Sequence, residues 1–528
     1  MNTCDSKCGG CARREFIKRL GLLAGAGAMT DALSAPLPSA TPPSAIPSKS
    51  GALKVRVVFA FNVKEEVQTS PDWPNRGFDF RPVMKNMVDA LNAGVAGVEF
   101  ISAKAASKED GARIASEDAA TGGVAGYVVV QMNPWHNAVY GIVASGKPVL
   151  YTALPYGGDG GWLTNDSDLR RKNTPAYESI CAFDFKYVVG MAGAFAHLKD
   201  GTAADFVAAA RAYRLSVTPA FSSRRVREGR LPCRSAEETL ARVRGVRILV
   251  LERGWGDDAE AICKDFGVEI ERCTFAELNG FYDRVDAARA RAMVEEWQRT
   301  ALDVADVSDE TLLACARQRF AMEDMLKAHN AKAITIDCLS GCYSGKLKAY
   351  PCLGFMELQD HGLMGTCESD LASVLTMLVF GAMTDRVGYI SDPVLDAPTR
   401  SIVYAHCVST RRFFGIGGRE APYSILTHSE DRGGASVRAL GPVGYPVTTM
   451  KIVAEKRKIA LQSAITTGND DDSRACRTKI IAEVAGDFEK ASRAWDIFGW
   501  HRVTFYGDFV DSVRALAKKL GYEVVMES

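Results

Sequence analysis

Glu368, Asp392, His406 and His501 are the residues of this sequence best suited to do chemistry. Glu368 follows the run GLMGTC and precedes a strongly apolar stretch. Asp392 follows VGYIS, and Pro393 behind it biases it towards extended backbone. His406 lies in SIVYAHC, and His501 opens the segment RVTFYGD. Each is expected where a strand meets a loop or a helix. Two carboxylates and two imidazoles suit a divalent cation that takes mixed oxygen and nitrogen ligands. Each residue also has a plainer reading. A Glu at a helix start favours the macrodipole, an Asp before proline caps a turn, and a His in an apolar strand can be a satisfied core residue.

The elements that must position them form a third unit, predicted over residues 346–528. After Glu368, a helix carries Leu371, Val374, Leu375, Leu378 and Val379 on one face, which implies packing on a core. Ser369 is its expected N-cap. Strands follow at VGYI and SIVYAHC. The alternating stretch from Ser436 to Gly468 then reads as hairpins of a small β-barrel or sandwich. Its tip, GNDDDS, offers carboxylates that suit either calcium or solvent. The chain closes with a strand, Gly507, a helix capped by Asp508 and a last strand.

Two α/β units precede it, over 51–165 and 166–345. In the first, LKVRVVFAF, VAGVEFIS, AGYVVVQM and KPVLYTAL alternate with helical stretches, which implies a parallel sheet covered by helices. Ligands sit at the carboxyl ends of such strands. That is where Trp135 and His136 fall, so both are candidate substrate contacts. Trp135 and Trp162 suit either stacking on a sugar or plugging their loops. The glycine run at 157–161 has no Gly-Lys-Ser/Thr ending and is not expected to open a helix, so nucleotide binding is rejected there. The second unit repeats the pattern, with strands at VRILVLERGW, VEIERCTF and KAITIDCLSG. His428 and Arg432, in LTHSEDRGG, are candidates for contacts to substrate hydroxyls. The fold class is therefore α/β: two parallel-sheet, Rossmann-like domains and a C-terminal α+β domain.

The chain has 528 residues, enough for roughly three domains. Its 64 basic and 64 acidic residues cancel, which argues against a nucleic-acid partner. No apolar run reaches the about 20 residues of a membrane span. Residues 1–50 read as an export segment. RREFIK precedes the apolar run LGLLAGAGAM, the layout of a twin-arginine signal, and a Pro-rich linker follows. A periplasmic location is expected. Cys4, Cys8 and Cys11 have a spacing that can hold an iron–sulfur cluster but precede the signal. Cys338 and Cys342 are expected to be buried free thiols. The basic run at 223–234 is expected to be a solvated loop.

The stretch PCLGFMELQDHGLMGTCESDLASVLTMLVFGAMTDRVGYISDP resembles the corresponding part of the L-fucose isomerase family. Glu368 and Asp392 fall at that family's two acidic metal positions. His501, with the strand–Gly–helix segment after it, matches its metal-binding histidine. The related L-arabinose isomerases place a second histidine where His406 stands. The resemblance covers roughly residues 335–528. It implies an L-fucose isomerase-like fold and aldose–ketose isomerisation through an ene-diol on a divalent cation, with Mn2+ preferred. It makes Glu368 and Asp392 both ligands and the acid/base pair. It also implies a homotrimer or homohexamer in which the Trp135 loop of one subunit closes the site of another. Two alternatives remain: an epimerase or lyase that starts from the same enolate, and a carbohydrate-binding protein without catalysis.

Overall fold

Valine-rich runs separated by helices build the first lobe. Strands β1 (Leu53–Ala60), β2 (Val98–Ala105), β3 (Gly126–Gln131), β4 (Val149–Ala153) and β5 (Tyr177–Ser179) form one parallel sheet in the order β2-β1-β3-β4-β5. β3 is buried along its whole length, as a strand covered on both faces must be. The strand order reverses between β1 and β3, and the crevice above their carboxyl ends is where open α/β sheets take ligands. The lobe runs past residue 165, because β5 pairs with β4 and helix Ala203–Val217 packs against it.

The second lobe contains β6 (Arg247–Leu251), β7 (Glu269–Cys273), the short β8 (Val304–Ala305), β9 (Ala333–Ile336) and β10 (Met364–Cys367). Its sheet is parallel, ordered β10-β9-β6-β7. The edge strand β10 lies beyond residue 345, and Glu368 is the residue after its end.

The third lobe contains β11 (Tyr389–Asp396), β12 (Ser401–His406), β13 (Tyr423–Leu426), β14 (Ser436–Ala439), β15 (Pro446–Val453), β16 (Lys458–Asn469), β17 (Thr478–Val484), β18 (Arg502–Tyr506) and β19 (Glu523–Met526). Six of these run antiparallel in the order β15-β18-β11-β12-β17-β16. β15 also pairs with β16 over eight residues from Pro446 to Val453, which closes the ring into a barrel without free edges. β19 adds to β16 in parallel, and β8 joins β13 and β14 in a small sheet. Helix Leu371–Thr384 is buried on nearly every side. Its Leu371, Val374, Leu375 and Phe380 share one apolar cluster with Ile248 and Val250 of β6 and with Met450, Val503 and Phe505 of the barrel.

This architecture is that of a computed structural model, which describes residues 51–222, 231–252 and 259–528. The expected export signal, Cys4, Cys8, Cys11, the Pro-rich linker and residues 223–230 of the basic run lie outside the described residues. Among the described residues, no helix is long and apolar enough to cross a membrane.

Candidate active site

The barrel register brings the chemistry together. β11 pairs antiparallel with β18 through Ser391–Arg502, so Asp392, next on β11, and His501, the residue before β18, are brought side by side. His501 Nε2 lies 3.2 Å from Asp392 Oδ1 and 3.8 Å from Glu368 Oε2. His406, the last residue of β12, places Nε2 3.7 Å from Asp392 Oδ2. The ligand atoms of Glu368, His406 and His501 lie within 4.8 Å of one another. Asp392 is not at a strand end as expected. β11 continues through Pro393 to Asp396, because pairing with β12 carries on after pairing with β18 stops.

Glu368 is held in an unusual backbone. It has φ 92° and Ser369 has φ 54°, both in the left-handed half of the map that non-glycine residues rarely enter. Each such residue costs of order 1–3 kcal/mol, and such strain collects at functional sites. The turn is fixed by two bonds to one acceptor: the Glu368 and Ser369 N–H groups both donate to the Ile336 carbonyl, at 3.2 and 3.1 Å. Ser369 Oγ donates to the Leu251 carbonyl at 2.9 Å. Ser369 is therefore not the N-cap of the following helix.

That role belongs to Asp370, whose Oδ1 accepts the Ser373 N–H at 3.0 Å. Its Oδ2 accepts from His501 Nδ1 at 2.8 Å and from Lys451 Nζ at 2.7 Å. A carboxylate that takes one ring N–H of a histidine while the other nitrogen faces a cation site is the usual outer support of a metal ligand. Although Asp370 is buried, the Lys451 ammonium and His501 hold its carboxyl well below the usual range. Burial and the neighbouring carboxylates Asp392 and Glu430 push Glu368 up to about 8, against the pull of His501. Burial lowers His501, but Asp392, Asp370 and Glu368 outweigh it and raise the ring to about 10. Burial depresses His406.

The donor set fits a divalent cation. Octahedral sites with bonds of about 2.1 Å set neighbouring donors about 3 Å apart, close to the Asp392–His501 separation. Two carboxylates with one carboxylate-backed imidazole match Mn2+ better than an all-oxygen Mg2+ site.

Glu368, Asp370, Asp392 and His501 line a cavity of about 460 Å3, within the ordinary size range for small-molecule sites. Trp73 comes from the loop after β1 and Trp135 from the loop after β3, the two loops that flank the reversal of strand order. Both meet Trp500 edge-on, with centroids 5.0 and 5.5 Å away. Trp500 is buried and donates Nε1–H to the Pro393 carbonyl at 2.9 Å. Trp135 is 56% exposed and lines the cavity.

Other sequence-predicted residues lie elsewhere. His136 does not line the cavity; Ala138 N–H reaches its Nδ1 at 3.5 Å. His428 is buried behind Glu368 and Glu430 in a cavity of about 10 Å3 lined largely by thiols, and its Nδ1 faces Asp431 at 3.2 Å. Arg432 points to the Ser473 carbonyl at 3.2 Å, outside the cavity. Trp162 is 3% exposed and packs within the first lobe. The glycine run does open a helix, Asp159–Arg171, contrary to expectation. Two carboxylates of GNDDDS are engaged by protein: Asp470 takes the Tyr156 hydroxyl, and Asp472 pairs with Arg474 at 2.6 Å, while Asp471 is exposed. Cys338 and Cys342 are free thiols. A second ligand-rich group, Glu271, Cys273 and His329, lies outside the main cavity. There, both His329 nitrogens face carboxylates, Glu271 at 2.7 Å and Glu277 at 3.3 Å.

The sequence is 24% identical over 269 residues, 49% of this chain, to a sulfoquinovose isomerase from Clostridium sp. (strain MSTE9). Half of the chain thus resembles a sugar isomerase. The match spans 58% of that relative's length. No protein-family model matches the sequence. Among solved structures, an ABC-transporter solute-binding protein from Burkholderia multivorans matches at 12% identity. It covers 56% of this chain and 85% of its own, with a TM-score of 0.17. A carbohydrate transporter protein from Acidothermus cellulolyticus 11B, in complex with myo-inositol, matches at 12% identity over 63% and 87%, also with a TM-score of 0.17. Nothing about this chain follows from scores of that size.

Sequence reasoning missed Asp370, Lys451, Trp73 and Trp500. Only Asp370 carried a local signal, an Asp three residues before Ser373 at the start of an apolar helix.

Proposed function

We propose that this chain is a metal-dependent sugar isomerase that interconverts an aldose and a ketose. The observation that carries the reading is the convergence of Glu368, Asp392 and a carboxylate-oriented His501 on the wall of an aromatic-lined cavity, in a chain half of which resembles a sugar isomerase. A divalent cation held by those three residues, Mn2+ by preference, would polarise the sugar carbonyl and favour negative charge on the neighbouring oxygen. The two carboxylates divide the proton traffic: one takes the carbon-bound proton and returns it to the adjacent carbon, and the other serves the hydroxyl. Asp370 holds the His501 ring, and Lys451 balances Asp370. Trp73, Trp135 and Trp500 offer ring surface to an apolar sugar face.

The cavity wall favours an uncharged sugar over a sulfonated one such as the relative's. Even with Asp72 and Glu368 holding their protons, Asp370, Asp392, Glu430, Glu455 and Asp496 outnumber Lys451, Lys456 and the His501 ring. Lys451 is committed to Asp370, and Lys456 Nζ donates to the Ile497 carbonyl at 2.5 Å. The N-terminal segment further suggests a protein exported by the twin-arginine route.

The test is a panel of neutral aldoses and sulfoquinovose in deuterated water with Mn2+, comparing the parent with Glu368→Gln. We expect ketose product carrying deuterium next to the carbonyl, and a loss of about 10²–10⁴ in kcat for the variant at unchanged fold. Tight sugar binding without turnover or deuterium uptake would defeat the reading.

A further inference from the structure

We infer that His406 is a hydrogen-bond donor to the bound sugar and not a ligand of the cation; this rests on the metal-site reading above. The two imidazoles are wired in opposite senses. His501 Nδ1 lies 2.8 Å from Asp370 Oδ2. An ionised carboxylate only accepts, so Nδ1 carries the hydrogen, and Nε2 can turn a bare lone pair on a cation. His406 Nδ1 instead lies 3.1 Å from the backbone nitrogen of Val408. A backbone amide only donates, so here Nδ1 supplies the lone pair. The hydrogen of the His406 ring is therefore on Nε2, and a nitrogen that carries hydrogen has no lone pair for a metal.

Ring rotation does not rescue ligation. Turning the imidazole over would remove the acceptor from the Val408 N–H, and buried backbone donors are almost always paired. The Val408 amide thus fixes the ring and its tautomer together.

His406 Nε2 is buried and has no hydrogen-bond partner among the described residues. The nearest carboxylate oxygen, Asp392 Oδ2, is 3.7 Å away, beyond hydrogen-bonding range. A buried donor left open beside the residues that hold the cation calls for an acceptor that arrives with a ligand. His406 lines the adjoining small cavity of about 10 Å3, which shares Leu339, Glu368 and Glu430 with the main one, and the acceptor assigned here is a carbonyl or hydroxyl oxygen of a sugar that reaches past Glu368. If it is the oxygen that gains negative charge as the carbon-bound proton leaves, the bond strengthens towards the transition state.

The experiment titrates Mn2+ into full-length parent, His406→Ala, His406→Gln and His501→Ala protein, reading bound metal directly, and then assays sugar turnover. Gln places an N–H near the position of Nε2. We expect both His406 variants to hold one Mn2+ per chain within about threefold of the parent affinity, and His501→Ala to lose more than about tenfold. Turnover by His406→Ala should fall about a hundredfold, with partial recovery in His406→Gln. A loss of Mn2+ affinity of tenfold or more in His406→Gln, at an unchanged unfolding midpoint, would make His406 a ligand and overturn the inference. If His501→Ala binds Mn2+ as the parent does, the metal-site reading itself fails, and the inference falls with it.

Discussion

Asp370 answers to three partners at once, and this makes it the most informative residue outside the ligand set. It caps helix Leu371–Thr384, orients His501 and neutralises Lys451. These roles separate by substitution. Asparagine still accepts the Ser373 N–H, so Asp370→Asn keeps the cap. It loses the charge that fixes the His501 tautomer, and it leaves a buried ammonium without its counter-ion. We expect Mn2+ affinity to drop about 10–100-fold. Asp370→Ala should show the same loss plus about 1 kcal/mol of stability from the missing cap. Metal titration paired with denaturant unfolding measures both. Unchanged affinity in Asp370→Asn would reduce Asp370 to a helix cap. Residue-level reading of the sequence came close here and missed by one position. It chose Ser369, because successive positive φ values at Glu368 and Ser369 delay the helix start, and no local pattern announces them.

Among elements, the loop after β1 contributes a second carboxylate whose state depends on the cavity. Asp72 accepts the Trp73 N–H at 2.8 Å and an Asn62 amide. Burial, with Glu430 adding to it, pushes its carboxyl up to about 8. The sign follows directly. The folded form keeps a proton that the unfolded chain releases near pH 4, so stability is fully present below that pH and is lost as pH rises towards about 8. The loss from this group is at most about 1.4 kcal/mol per pH unit. Asp72→Asn should flatten that decline, and chemical unfolding of both proteins at pH 6 and pH 8 measures it. Equal slopes would mean that Asp72 is ionised in the fold. At this scale the sequence was legible where strands are largely apolar runs, as in β3, β4 and β6. It was misleading where a signal has two meanings. Asp392 was expected where the VGYI strand meets a loop, yet β11 passes on through Pro393 because pairing with β12 continues after pairing with β18 has stopped at Ser391. The barrel's closure was only half visible. Alternation along β15 and β16 implied hairpins, but the ring needs β18 and β11 between them, and these pairings are too distant in sequence to read.

In the whole molecule, described residues of all three lobes line the cavity. Trp73 and Trp135 come from the first lobe, Leu339 and Tyr343 follow β9 in the second, and Asp392, Lys451, Trp500 and His501 belong to the third. The first lobe is also tied to the third beside the site. Ser167 Oγ donates to Asp496 Oδ1 at 2.6 Å, and a Cβ on Gly160 would lie 2.6 Å from the Trp500 ring, so that helix can approach so closely only as glycine. The sequence resemblance implies that the Trp135 loop serves a neighbouring subunit. In this chain, Trp135 packs on its own Trp500. The two arrangements differ in a complementation experiment. Trp135→Ala removes a largely exposed ring and should cost under about 0.5 kcal/mol of stability while raising KM. Glu368→Gln removes the carboxylate chemistry. If the loop served another subunit, mixing the two impaired variants, assayed at substrate well below the raised KM of Trp135→Ala, would rebuild intact sites from one Trp135 and one Glu368 on different chains. With both residues on the same chain's cavity, every site in a mixture keeps one defect. Unfolding and refolding the two variants together should therefore give no activity beyond the sum of the separate proteins, at any mixing ratio. Activity that rises towards a quarter or more of the parent would place the Trp135 loop on a partner's cavity and refute a self-contained site.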